Sequence, residues 1–190
     1  MRGFWDRGNL FVLTVIVVAV AYGFLLFNVG PYPAIRQQVP DATLPEERFG
    51  YKGADLDAFV STLVIEKDGA AQTGLNAYKS FQVWDAPNAV LLALALGSAI
   101  WVLAAGFGRK LLIRFLVLLP LAMLVFDLSE NILISEVIDA WPSVYPGLSA
   151  LAGTATFLKM IAGSASLGAA LLLTILAIAG RFRNREFNAG

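Results

Sequence analysis

Asp127, Glu130 and Asn131 stand three and four residues apart in the apolar run LVFDLSENILISEVIDAW at 124–141, a spacing that puts them on one face of a helix. Carboxylates held in apolar surroundings can take up an ion, move a proton, or pair with a buried base. The sequence itself supplies a base for the third possibility, because Lys159 is the only basic residue set well inside an apolar stretch. Asp85, just ahead of Pro87, can join the same cluster; its alternative is to cap the N-terminus of a helix that begins near Pro87. Tyr22 and Tyr78 can add hydroxyls, with ordinary packing as the alternative. Glu136 and Asp139 fall further along, toward water, and call for no special role.

The composition removes much other chemistry. With no cysteine, the chain has no disulfide, thiolate metal site, iron–sulfur cluster or thiol nucleophile. With no histidine, it lacks the commonest general base and any imidazole ligand for haem or zinc. No metal and no cofactor are therefore expected. Fourteen basic and fourteen acidic side chains cancel, so net charge gives no reason to expect a nucleic-acid partner. At 58% hydrophobic and 15% charged residues over 190, with a mean hydropathy of +0.70, the chain is too apolar for an ordinary soluble domain.

Four stretches approach the roughly 20 helical residues that a bilayer core of about 30 Å requires. They run from Leu10 to Val29, Ala89 to Gly108, Leu111 to Ile134 and, after a looser small-residue stretch, Met160 to Gly180. The first exceeds the usual apolar core of a signal peptide and is followed by no clean cleavage site, so it is read as a span. The predicted fold is an all-α integral membrane bundle of four helices, one membrane domain over 1–190. Arg2 and Arg7, then Arg109, Lys110 and Arg114, then Arg181, Arg183 and Arg185 all fall on one side of such a bundle. Because basic short loops stay cytoplasmic, both termini are placed inside, in a multi-pass protein of the cell's inner (cytoplasmic) membrane.

The segment 30–86, with five basic and eight acidic residues, then becomes a small extracytoplasmic lid between the first two spans. Pro31, Pro33, Pro40 and Pro45 are expected to hold its beginning extended. Leu56, Phe59, Val60 and Leu63 recur at helical spacing, and Asp55 and Asp57 suit a first turn. The β-branched run from Thr62 to Ile65 would suit a strand, but a lone strand has no partner, and helix is preferred. Asp68 and Gly69 make a turn, after which Leu75, Tyr78 and Phe81 form a second apolar stripe. So few large apolar side chains cannot make a core alone, and the lid must pack on the ends of the spans.

Depth ties these readings together. From Lys110 to Asp127 is about 25 Å of helix, and from Arg181 back to Lys159 about 33 Å, so the acids and the lysine meet near the outer boundary. A Glu130–Lys159 or an Asp127–Lys159 contact is then easy between antiparallel neighbours. Pro120 should kink the third span. Ala162, Ser166, Ala170 and Thr174 on the fourth span, and Ala89, Ala93 and Gly97 on the second, recur every fourth residue and allow close helix approach. They are read as seams within the bundle, with dimerisation as the alternative. Trp5, Trp84, Trp101 and Trp141 suit interfacial anchoring, Trp101 being deeper than the rest.

Phe49-Gly50-Tyr51, the stretch from Leu56 to Leu63, Gly74 to Tyr78, Asp85 before Pro87, FDLSEN at 126–131 and Thr156 to Lys159 follow one another in an order that resembles a family of uncharacterised bacterial four-span membrane proteins. The resemblance implies the same topology and marks Asp85, Asp127, Glu130, Asn131 and Lys159; it implies no catalytic role. DGAAQTG at 68–74 departs from the basic residue such proteins tend to carry nearby. The resulting expectation is a non-catalytic accessory, scaffold or lipid-binding bundle, with membrane lipid as its partner and a protein partner or second copy also open. A proton- or ion-coupled transporter using Asp127 and Glu130 is one alternative. The other is a lipid-modifying enzyme with carboxylates as acid and base, although no nucleophile elbow, phosphate loop or metal box is present.

Overall fold

The computed structural model describes residues 7–40, 43–64, 71–105, 110–143 and 146–187. Arg2, Trp5, Arg109 and the Asp68–Gly69 turn lie outside the described residues, as do the side chains of Arg7, Lys110, Arg114, Arg181, Arg183 and Arg185. Among the described residues the chain is helical without strands: α1 (Arg7–Asn28), α2 (Tyr32–Gln38), a 3-10 turn (Pro45–Glu47), α3 (Gly53–Val64), α4 (Ala71–Ala105), α5 (Lys110–Ala140) and α6 (Pro146–Phe187). Four of these helices, α1, α4, α5 and α6, are long and apolar enough to cross a membrane.

Two of the long helices begin well before the apolar stretches expected for them. α4 starts at Ala71 rather than Ala89, because Leu75, Tyr78 and Phe81 continue the helical phase straight into the apolar run. Pro87 lies inside it, and Asp85 is consequently a mid-helix residue rather than an N-cap. Pro87 deprives the Val83 carbonyl of its helical donor, a local loss that packing on other helices tolerates. Beside this break, Tyr22 of α1 donates a 2.9 Å hydrogen bond to the Trp84 carbonyl. α6 starts at Pro146, at the first helical position, where a missing N–H costs nothing. The prolines near 30 also act differently from expectation: Pro31 and Pro33 open α2, and Pro45 opens the 3-10 turn. Fixed φ favours a first turn as readily as extended chain.

α5 lies between α4 and α6 and packs along both, while α1 packs on α4 and leaves most of its aliphatic surface, Val20 and Phe24 among it, uncovered. α2 packs against α4, and α3 packs against both α6 and α4. The stripe read from sequence is the buried face of α3, Leu56, Phe59, Val60 and Leu63. It shares one core with Ile35, Tyr78, Ile134 and Ala152 of α2, α4, α5 and α6. The Lys52 N–H donates to Asp55 Oδ2 at 2.9 Å, which caps the start of α3.

Small residues set the spacing between the long helices. Ala93, Met123 and Ala162 form one buried contact of α4, α5 and α6, and Gly97 faces Pro120. Ser166 is buried in the same seam, whereas Thr174 is exposed, so the α6 stripe leaves the interface before its end. Trp101 is exposed on the outside of α4. Among the described residues the tightest approach of backbone to a glycine is at Gly153, where a Cβ would stand 2.0 Å from the Tyr51 carbonyl oxygen. Gly50 beside it has φ +121°, a left-handed conformation suited to glycine, and rests on Phe157.

Gly153→Ala should therefore push residues 49–53 off α6 and cost about 1–3 kcal/mol, as overpacking does. Faster proteolysis within 43–64, with α4 to α6 still protected, is the expected reading; an unchanged cleavage pattern would count against this close approach.

Candidate functional site

One band of polar residues crosses the bundle beneath α3. α5 contributes Asp127, Glu130 and Asn131 from the face their spacing defines; α6 contributes Thr156 and Lys159, three residues apart; α4 contributes Tyr78, Gln82, Asp85 and Asn88; and the 3-10 turn contributes Glu46. Lys159 Nζ lies 2.9 Å from Asp127 Oδ1 and is also ion-paired with Glu130 Oε2. Sequence reasoning left the choice between the two acids open, and the lysine holds both. Thr156 donates its hydroxyl proton to Glu130 Oε1, so the fully buried Glu130 carboxylate is engaged on both oxygens by α6.

The α4 side of the band is less completely satisfied. Asp85, 8% exposed, accepts from Asn88 Nδ2 at 3.2 Å and from Asn131 Nδ2 at 3.4 Å. Glu46 Oε1 accepts from Gln82 Nε2 at 2.5 Å. Glu46 Oε2, Gln82 Oε1, Asn131 Oδ1 and the Tyr51 and Tyr78 hydroxyls are buried without a well-formed hydrogen bond. Tyr78 faces Glu46 and packs edge-on against Phe59 at 5.0 Å, whereas Tyr22 is tied to Trp84 and stays apart from the band. Glu136 is exposed, and the exposed Asp139 pairs with Lys79 at 2.5 Å.

Glu46, Gln82 and Asn88 were not singled out from sequence, and Tyr51 entered only within the Phe49-Gly50-Tyr51 stretch of the resemblance. Gln82 becomes legible only when α4 is run through Pro87, since Tyr78, Gln82 and the already suspected Asp85 then share a face. Glu46 sits in a three-residue turn and has no periodicity to reveal it.

A cavity of about 450 Å³, partly open to the surface, lies between α4 and α6 with Met123 of α5 behind it. Glu46, Glu47, Asp85, Asp127 and Lys159 line one end; Leu92, Leu96 and Leu167 line the other. The two acids of the turn are pushed in opposite directions. Burial, and next the nearby charge of Glu130, raises Glu46 from 4.5 to about 7. Burial also works against ionised Glu47, but Arg36 at 2.5 Å, the Tyr32 hydroxyl at 2.8 Å and the Leu44 N–H at 3.0 Å outweigh it and hold the carboxyl below its ordinary value. Burial first, then Glu130, pushes the Tyr51 hydroxyl up, so it remains a neutral donor. Among the described residues no group of three or more acids is arranged to hold a metal ion.

No family model, curated protein or solved structure matches the chain, so the resemblance drawn above rests on the residues quoted for it.

Two outcomes are expected. Lys159→Met leaves two buried carboxylates without their cation and should destabilise the protein by about 3–5 kcal/mol; thermal unfolding in detergent measures the loss, and adding Asp127→Asn and Glu130→Gln should recover most of it. For Glu46, the folded state binds its proton more tightly than the unfolded state. Stability should therefore fall as pH rises from about 4.5 to about 7, then level off. Glu46→Gln should flatten that slope.

Proposed function

We propose that the chain is a small multi-pass protein of the inner (cytoplasmic) membrane, with both termini cytoplasmic and segment 30–86 forming an extracytoplasmic lid. It acts without catalysis, as a lipid-binding accessory bundle. Four long apolar helices and the uncovered aliphatic faces of α1, α5 and α6 support the membrane setting, because a surface so apolar is stable only against lipid or protein. The basic clusters at 2–7, 109–114 and 181–185 support the orientation.

The observation that carries the non-catalytic reading is the double engagement of Lys159. Asp127 and Glu130, the two acids an ion-coupled carrier or a lipid-modifying enzyme would need free, are both committed to one lysine that joins α5 to α6. Polar groups used this way bind helices together. The cavity beside them supports lipid as the partner: charged groups line one end, Leu92, Leu96 and Leu167 line the other, and it lies within the roughly 300–1,000 Å³ of small-molecule sites.

Because the chain has no cysteine, single thiols can be introduced on a clean background. In intact cells a membrane-impermeant maleimide should label Lys67→Cys and leave Asn188→Cys unlabelled until the cells are opened; the reverse pattern would overturn the orientation. Native mass spectrometry of the gently solubilised chain should show bound lipid that Leu96→Trp, which fills the cavity, removes. A chain without lipid in both forms would overturn the binding role.

A further inference from the structure

We infer that the cavity receives the primary ammonium head of an amphiphile, with Asp85 as its principal counter-ion and the aliphatic end of the cavity as the seat of its chain. The inference rests on the lipid-binding reading above and names the head group that reading leaves open.

The charges around the polar end do not balance. Glu47 is met by Arg36, and Asp127 and Glu130 share Lys159. Asp85 is as buried as Asp127, lines the cavity, and has only two long amide contacts; among the described residues no basic group lies within ion-pair distance of it. A buried carboxylate without a cation is costly, and a ligand cation would supply what the chain does not.

Next to Asp85 and Glu46, part of the unused hydrogen-bonding capacity has the same sign. Glu46, which lines the cavity, and Asn131, whose amide contacts Asp85, each keep one buried oxygen without a well-formed hydrogen bond, Glu46 Oε2 and Asn131 Oδ1. A primary ammonium carries three donors and no acceptor, the complement of such a wall, whereas a sulfate or phosphate brings only more acceptors. Phe27, Tyr32 and Phe81 line this end too, with ring centroids 4.9–6.5 Å apart, and ring faces attract cations. Arg36 already lies 5.0 Å over Tyr32. From Asp85 to Leu96 along α4 is about 16 Å, and from Lys159 to Leu167 along α6 about 12 Å, which separates the head end from the chain end.

A protonated long-chain amine and the ethanolamine head of a phospholipid share this chemistry. The full chain in an uncharged detergent would be titrated, under native mass spectrometry, with phosphatidylethanolamine against phosphatidylglycerol, and with decylammonium against decyl sulfate and decanol. The expected result is one saturable site that prefers an ammonium-headed probe tenfold or more. Asp85→Asn should reduce that preference to twofold or less, and Leu96→Trp should abolish occupancy by every probe. Preference for phosphatidylethanolamine assigns the head to the lipid, and preference for decylammonium alone assigns it to a free amine; either supports the inference. Equal occupancy by all heads, lost in Leu96→Trp, would overturn the ammonium assignment while leaving lipid binding in place. No occupancy by any probe would overturn both, and an unaltered preference in Asp85→Asn would overturn the role of Asp85. Should Asp85→Asn fail to fold, the wild-type preference still decides the head group.

Discussion

A carboxylate with no exposure is costly unless other groups meet it, and Glu130 on α5 is such a group. Meeting it fixes α6. Thr156 and Lys159 are three residues apart on one face of that helix, and both must reach Glu130 while Lys159 also spans to Asp127. Apolar seams of alanine and serine permit many rotations and slides between two helices; two acids and one lysine permit few. The ion cluster therefore contributes less as a source of net stability than as a register, since the desolvation of three charges offsets much of their attraction.

The same face of α6 continues upward as the surface on which segment 43–64 rests. Ser149, Gly153 and Thr156 follow one another along it. Ser149 donates to Asp57 at 2.6 Å, Gly153 admits the Tyr51 backbone, and Thr156 turns to Glu130. Rotating α6 away from α5 would thus move the docking surface as well. It is consistent with this coupling that α3 has no core of its own and that its buried leucines, valine and phenylalanine meet residues of α4, α5 and α6.

What could be read from the sequence divides along physical lines. Long apolar runs declare themselves by composition, and Asp127, Glu130, Asn131 and Lys159 stand out because charge within such runs is costly. Their common depth follows from the rise of a helix. The continuation of α4 through Pro87 was hidden, since proline is a boundary signal in local sequence and only tertiary packing makes the broken hydrogen bond tolerable. That one misplaced boundary left a cap open as the alternative role for Asp85 and concealed Gln82. Glu46 was hidden for another reason: three residues of 3-10 turn carry no period, and its burial is created by elements distant in sequence.

Whether such a polar band is structural or functional need not have a single answer, because its two sides differ in kind. Toward α5 and α6, acids, lysine and threonine satisfy one another, and removing any member leaves another exposed to an apolar environment. Toward α4 and the 3-10 turn, the groups are less completely met: Asp85 has only two long amide contacts, and Glu46 Oε2, Gln82 Oε1, Asn131 Oδ1 and the Tyr78 hydroxyl lack a well-formed hydrogen bond. The chain relieves one of these by raising the proton affinity of Glu46. A bundle selected only for stability would replace that side with hydrophobic side chains at little cost. Asp85 and Glu46 line the cavity, where a ligand carrying donors would meet them; on the ammonium proposal, the working part of the band would lie on α4 and its holding part on α5 and α6.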